Sequence, residues 1–358
     1  MCFTTVDPRK LYLLFNSATF GSVIMAKIIA NCHKLVEDEV LRRSSQILSV
    51  VEDRAYIFGG ELRPREPRDN DIHTVLLSGN NERVLLESAT SKSPSPRVGA
   101  AACSLNENIY LFSGRGGIEM APIEEKGAIW VFDPSTTNWS CIHPSLDRPY
   151  PAARSYHCMA SDGKDTLYIH AGCPEKGRLG DLWAFSVSQK AWTELSPAFD
   201  PPRGGTSITF SGDKLYRMNG FDGKSEQGGK LDIYSPETNS WASHAYLPDG
   251  KQSPSPRSVS CLLPINLNGR PFLVTLFGER DPSSLGHQGA GKMLKDIWAF
   301  DIENKTWHEI TTKGPELPLA RGWFDADVIS NNTIVVHGGL GELNERLGDV
   351  WTLELCVE

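Results

Sequence analysis

Glu279, Asp281 and His287 fall within nine residues of one another in the stretch FGERDPSSLGHQGAG (277–291), a segment rich in Gly, Ser and Pro. Two carboxylates and an imidazole on one loop are the donor set a divalent first-row metal prefers. The same groups can move protons as an acid/base set. These three are the candidate catalytic and metal-ligating residues of the chain. The stretch opens on a strand end, VTLFG (274–278), and then departs from anything a strand or turn requires.

A second set is cationic. Arg43, Arg97, Arg154, Arg203, Arg257 and Arg321 recur at intervals of 49–64 residues, each followed by small or polar residues and an apolar run. One reading is scaffold, each Arg donating to neighbouring carbonyls. The other is a ring of guanidinium groups that converges on a channel mouth and grips an anion bidentately. In a chain of net charge −8, six cations near one axis would form a local anion funnel. Tyr156-His157 and Trp323-Phe324 stand beside two of them and would give that mouth an apolar lining. The six arginines and Trp323 are the candidate substrate-binding set, with a small organic metabolite as partner.

The elements that position these residues follow from a repeat, since self-similarity at this period marks a propeller. About 12–20 residues after each Arg comes an apolar strand ending in Gly: YIFGG (56–60), YLFSG (110–114), YIHAG (168–172), YRMNG (216–220), VTLFG (274–278) and VVHGG (335–339). A third strand follows, as IWVFD (129–133), DLWAF (181–185), LDIYS (231–235), DIWAFD (296–301) and DVWTLEL (349–355), with a degenerate DIHTVLL (71–77) first. A fourth holds Trp139, Trp192, Trp241 and Trp307, after turn residues of the kind a hairpin needs.

Four short strands, a Gly closing the second and a Trp in the fourth resemble the kelch repeat, here in six copies over 43–355. The resemblance implies an all-β, six-bladed β-propeller, and the periodicity leads there independently. The sixth unit runs out of chain before its fourth strand. KIIANCHKL (27–35) has the apolar pattern to supply it and so close the ring. Residues 1–24 are then an extension, disordered or dispensable, and 25–358 the propeller. The loops joining second to third strand, and outer strand to next inner strand, gather on one face, where function is usually placed.

GExxPSxxGHxGAG in the fifth unit, with six kelch units and a short N-terminal strand, is similar to the plant nitrile-specifier and thiocyanate-forming proteins. That resemblance implies ferrous iron and the redirected breakdown of glucosinolate aglucones. The family's iron triad reads Glu-x3-Asp-x3-His, so Glu279 and His287 match while Ser283 stands where the family has Asp. Asp281 is the carboxylate within reach of that gap.

Composition narrows the rest. The chain has 36 Lys+Arg against 44 Asp+Glu and no basic run, which argues against nucleic acid. No segment is long and apolar enough to span a bilayer. The 8 cysteines are scattered without metal spacing, which points to a reducing, cytoplasmic setting. His170, His337, His73 and His157 read as core or channel residues. Two functions compete: a specifier-like lyase or isomerase acting on an anionic or polar metabolite, with Fe(II) as the implied cofactor, and a non-catalytic propeller that binds a protein partner.

Overall fold

The structure, a computed structural model, describes residues 27–358 apart from 80–82, 146, 200 and 287–288. Six antiparallel sheets stand around one axis. The first blade runs Ser44–Val51, Arg54–Arg63, Ile72–Leu76 and Val84–Glu87 from the axis outward. The fifth runs Cys261–Leu267, Arg270–Leu276, Ile297–Asp301 and Thr306–Glu309. Each expected second, third and fourth strand lies within a residue or two of its place in the repeat. A single helical turn, Glu39–Leu41, follows the N-terminal strand.

The sixth blade is built from both ends of the described chain. Ile28–Glu37 pairs antiparallel with Asp349–Val357, from Ile28 opposite Val357 to Glu37 opposite Asp349. Thr311–Lys313 then adds a parallel fifth strand outside it, covering the edge that the N-terminal strand would otherwise expose. The expected extension at 1–24 lies outside the described residues.

Alternating side chains bury between neighbouring blades. In blades two to five a third-strand aromatic faces a fourth-strand Trp: Phe132 with Trp139, Phe185 with Trp192, Tyr234 with Trp241 and Phe300 with Trp307. Their ring centroids lie 4.9–5.2 Å apart in tilted contact. Such cross-strand aromatic pairs stabilise by about 0.5–1.5 kcal/mol each beyond the area they bury. The Trp signal in the repeat therefore marks packing.

Two closed circuits of backbone hydrogen bonds run around the axis. The residue two after each repeat Arg donates its N–H to the equivalent residue of the preceding blade: Gly99 to Ser45, Tyr156 to Gly99, Gly205 to Tyr156, Val259 to Gly205, Trp323 to Val259, and Ser45 to Trp323 (2.7–3.1 Å). All six have positive φ, including Val259 at 46°, an uncommon state for a β-branched residue. In the second circuit the Gly that ends each second strand donates to the carbonyl of the next blade's repeat Arg, from Gly60 to Arg97 round to Gly339 to Arg43 (2.8–2.9 Å). The left-handed backbone is thus held by tertiary bonds at every blade.

Two acids reinforce the junction between sixth and first blades. Asp325 and Asp327 accept the N–H groups of Leu48 and Val50, each at 2.7 Å, from the inner strand of blade one. Both line the central channel. Burial, with no cation beside them, pushes the Asp325 carboxyl up to about 7 and that of Asp327 up to about 6.

Candidate functional site

The loop face carries a cavity of about 200 Å³ on the axis. It is built chiefly from one repeated position, the residue directly after the Gly of each second strand: Glu61, Arg115, Cys173, Phe221, Glu279 and Leu340. In blades two to six each of these bridges to the residue one past the repeat Arg, as Arg115 does with Val98 and Glu279 with Ser258. A second tier comes from the returning limb of three loops, as Arg178, Glu226 and Arg346. The floor is the waist of the first circuit, where Tyr156 and Trp323 meet edge to face at 5.2 Å. Below them a channel of about 390 Å³ continues between the inner strands.

Glu279 is where the sequence placed it, at the cavity wall and 5% exposed. Its Oε1 accepts the N–H of Gly291 at 2.6 Å and its Oε2 accepts the indole N–H of Trp323 at 3.0 Å. Burial raises its carboxyl above the usual range, and those two donors restrain the rise. A Cβ at Gly291 would sit 2.6 Å from Oε1, so this contact requires Gly. Trp323 lies against the same cavity.

Asp281 is not brought into the cavity. Its backbone has φ 52°, and its exposed side chain pairs with Arg280 at 3.1 Å. Ser283 lines the wall, with its Oγ accepting the N–H of Leu285. His287 lies outside the described residues. Of the expected iron donors, the described residues bring Glu279 alone to the wall, and both its oxygens already accept hydrogen bonds. Among the described residues no three His, Cys, Asp or Glu side chains gather in a metal-holding group.

The substrate-binding assignment of the six repeat arginines is corrected by their geometry. None lines the cavity, and all are 0–4% exposed. Each Nη1 donates to the carbonyl preceding the second-strand Gly: Gly59, Ser113, Ala171, Asn219, Phe277 and Gly338, at 2.9–3.0 Å. Five also pair with an acid from their own blade: Arg43 with Asp69, Arg97 with Glu125, Arg154 with Asp181, Arg257 with Asp296 and Arg321 with Asp349. A guanidinium fixed in a buried fork of this kind spends most of its five donors inside the protein. These residues hold the strand end that presents the cavity residue.

The histidines behave as core. His170 bonds the Asp181 carbonyl and Arg217, while His337 bonds Gln46 and the Leu41 carbonyl. Burial pushes His157 and His337 down to about 3.

The cations that do face the cavity are Arg115, Arg178 and Arg346. Arg115 donates its Nε to Ser155 at 3.1 Å. The Arg178 guanidinium lies over the Phe221 ring at 5.0 Å. Arg346 pairs with Glu61 at 2.9 Å. Arg115 holds the position following a second-strand Gly, where residue type changes from blade to blade, while Arg178 and Arg346 come from the returning limbs of their loops.

The fold and this loop face define a kelch-type propeller with an axial cavity. Residues 46–278, more than half of the chain, match the model of the KLHDC2/KLHL20/DRC7 kelch-repeats domain, and the chain belongs to that family. It is 26% identical to N-(sulfonatooxy)prop-2-enimidothioate sulfolyase of Thlaspi arvense over 336 residues, 86% of this chain and 91% of that protein. An F-box/kelch-repeat protein of Arabidopsis thaliana is 24% identical over 98% of this chain and 65% of its own length. Human host cell factor 2 is 26% identical over 73% of this chain and 33% of its length. The solved structure of YjhT superposes with a TM-score of 0.67 over 90% of this chain and 99% of that one at 15% identity, a likeness of fold.

Proposed function

We propose that the chain binds a small anionic organic metabolite in the loop-face cavity and acts on it as a specifier-like lyase. The observation that carries this reading is an axial cavity lined by Arg115, Arg178 and Arg346 with aromatic rings beneath. Guanidinium groups suit a sulfate or sulfonate head. In an elimination that releases sulfate they would stabilise the charge gathering on the departing oxygens, most strongly where aromatic walls exclude water. The Thlaspi relative, whose name describes a sulfolyase, supports the same chemistry. Iron enters through the resemblance of Glu279 and His287, and metal content of anaerobically purified wild type against Glu279→Ala/His287→Ala tests it. The lyase reading is tested by incubating the protein with N-(sulfonatooxy)prop-2-enimidothioate and comparing products and sulfate release with a protein-free control. A changed product profile that Arg178→Ala abolishes is expected. Identical products, with no anion binding, overturn it.

A second reading has its own observation. Of the 12 large hydrophobic side chains that are exposed among the described residues, Ile118, Phe199, Leu247, Leu285, Leu317, Leu319 and Leu343 belong to loops of this one face, with Val40 in the helical turn and Leu62 near the end of a second strand. Apolar residues gathered on one face mark an interaction surface. Co-purification with a protein whose binding is lost in Ile118→Ser/Leu343→Ser, with no small-molecule turnover, would favour a binding module.

A further inference from the structure

We propose that the cavity selects a dipolar ligand, with its anionic head on Arg115 and Arg178 and a hydrogen-bond-donating group at the other end on Glu226. This rests on the anion-binding reading above and adds what the second end of the molecule must be.

The charged groups of the cavity are not equivalent. Glu61 and Arg346 satisfy each other at 2.9 Å. Glu279 is held on both oxygens by Gly291 and Trp323. That leaves Arg115 and Arg178, from blades two and three, facing Glu226 from blade four. Glu226 Oε1 is buried without a hydrogen-bond partner, and so is Arg178 Nε. A buried carboxylate oxygen without a donor costs about 1–3 kcal/mol, so an orphan of this kind is unusual and asks for a ligand.

Phe221 fixes the two poles relative to each other. Its ring lies under the Arg178 guanidinium, while its backbone bridges to Glu226 across a tight turn. Gly223 in that turn lets Arg178 approach, since a Cβ there would stand 2.7 Å from its Nη1. Arg178 and Glu226 form no ion pair with each other among the described residues, so the pair does not neutralise itself and the dipole is left for a bound molecule. The anion-binding cavity therefore becomes a site with a direction. A molecule with an acidic group at one end and an N–H, O–H or S–H group at the other fits it.

The test uses two probes with the same head, taurine and ethanesulfonate, titrated calorimetrically into the full chain. Taurine carries an ammonium group on the carbon that is the terminal methyl of ethanesulfonate. A charge-assisted hydrogen bond predicts that taurine binds about 10-fold tighter. Glu226→Gln should bring the two to within about 2-fold without weakening ethanesulfonate, and Glu226→Asp should keep the preference. Equal affinity in the wild type, or a preference that survives Glu226→Gln, overturns the inference while leaving anion binding intact. If neither sulfonate binds, the anion reading falls and the dipolar site falls with it.

Discussion

Tyr156 of the third blade and Trp323 of the sixth, half a turn apart around the ring, meet edge to face on the propeller axis at 5.2 Å. Trp323 also donates its indole N–H to Glu279, so the floor of the cavity and its wall are one hydrogen-bonded unit. Trp323→Phe keeps the aromatic contact and removes the donor, leaving a buried carboxylate with the Gly291 N–H alone. A loss of about 1–3 kcal/mol in urea denaturation is expected. Unchanged stability would mean that Glu279 finds another donor.

Gly291 gives a sharper test of the same carboxylate. In Gly291→Ala the new methyl would stand 2.6 Å from Glu279 Oε1, so the carboxylate must move. Sulfonate affinity and thermal stability should both fall. Asp281→Ala, although only two residues from Glu279 in sequence, removes only an exposed contact with Arg280 and should stay within about 0.5 kcal/mol of wild type.

The repeat arginines should behave as scaffold. Arg321→Ala strands the buried Asp349 carboxylate and leaves the Gly338 carbonyl without its donor. Breaking a buried pair of this kind costs about 3–5 kcal/mol, read from the denaturation midpoint. If Arg321→Ala instead weakened sulfonate binding and left the midpoint unmoved, the scaffold assignment would be wrong.

Asp325 and Asp327 predict a pH dependence. Their folded values, about 7 and about 6, lie above the unfolded value of about 4, so the fold binds these protons more tightly than the open chain. Their contribution is full below about pH 4 and is lost as pH rises towards 7. Buried His157 and His337, held down near 3, act in the opposite sense and are common to wild type and variant. The measurement is therefore a difference: the melting temperature of wild type minus that of Asp325→Asn/Asp327→Asn should grow steadily as pH falls from about 8 to about 4. A flat difference would contradict it.

The fold was legible in the sequence because a propeller repeats its constraints. Gly60 and its five equivalents, the six arginines, and the Trp of the fourth strand recur because each blade needs the same turn, the same carbonyl anchor and the same outer packing. That logic also misled. Constancy of the arginines was compatible with a ligand ring, and it took Asp69, Glu125, Asp181, Asp296 and Asp349, placed 26–39 residues later, to turn them inward. The cavity was hard to read for the complementary reason. Glu61, Arg115, Cys173, Phe221, Glu279 and Leu340 occupy one register position with almost no shared residue type, so a search for recurrence passes over them. Glu279 was found through its loop and the family resemblance, and Asp281 was included through nearness in sequence alone.

The circuit that joins Ser45, Gly99, Tyr156, Gly205, Val259 and Trp323 is made entirely of main chain, and this separates two jobs. The diameter of the waist is set by peptide groups, whereas the opening left in the middle is set by the side chains that the ring residues carry. The propeller thus has an iris whose leaves are side chains and whose frame is main chain. With two glycines, a serine and a valine already small, Tyr156 and Trp323 are the leaves that keep it shut. A chain with Gly at both positions would keep its six blades while connecting its two chambers into a single tube.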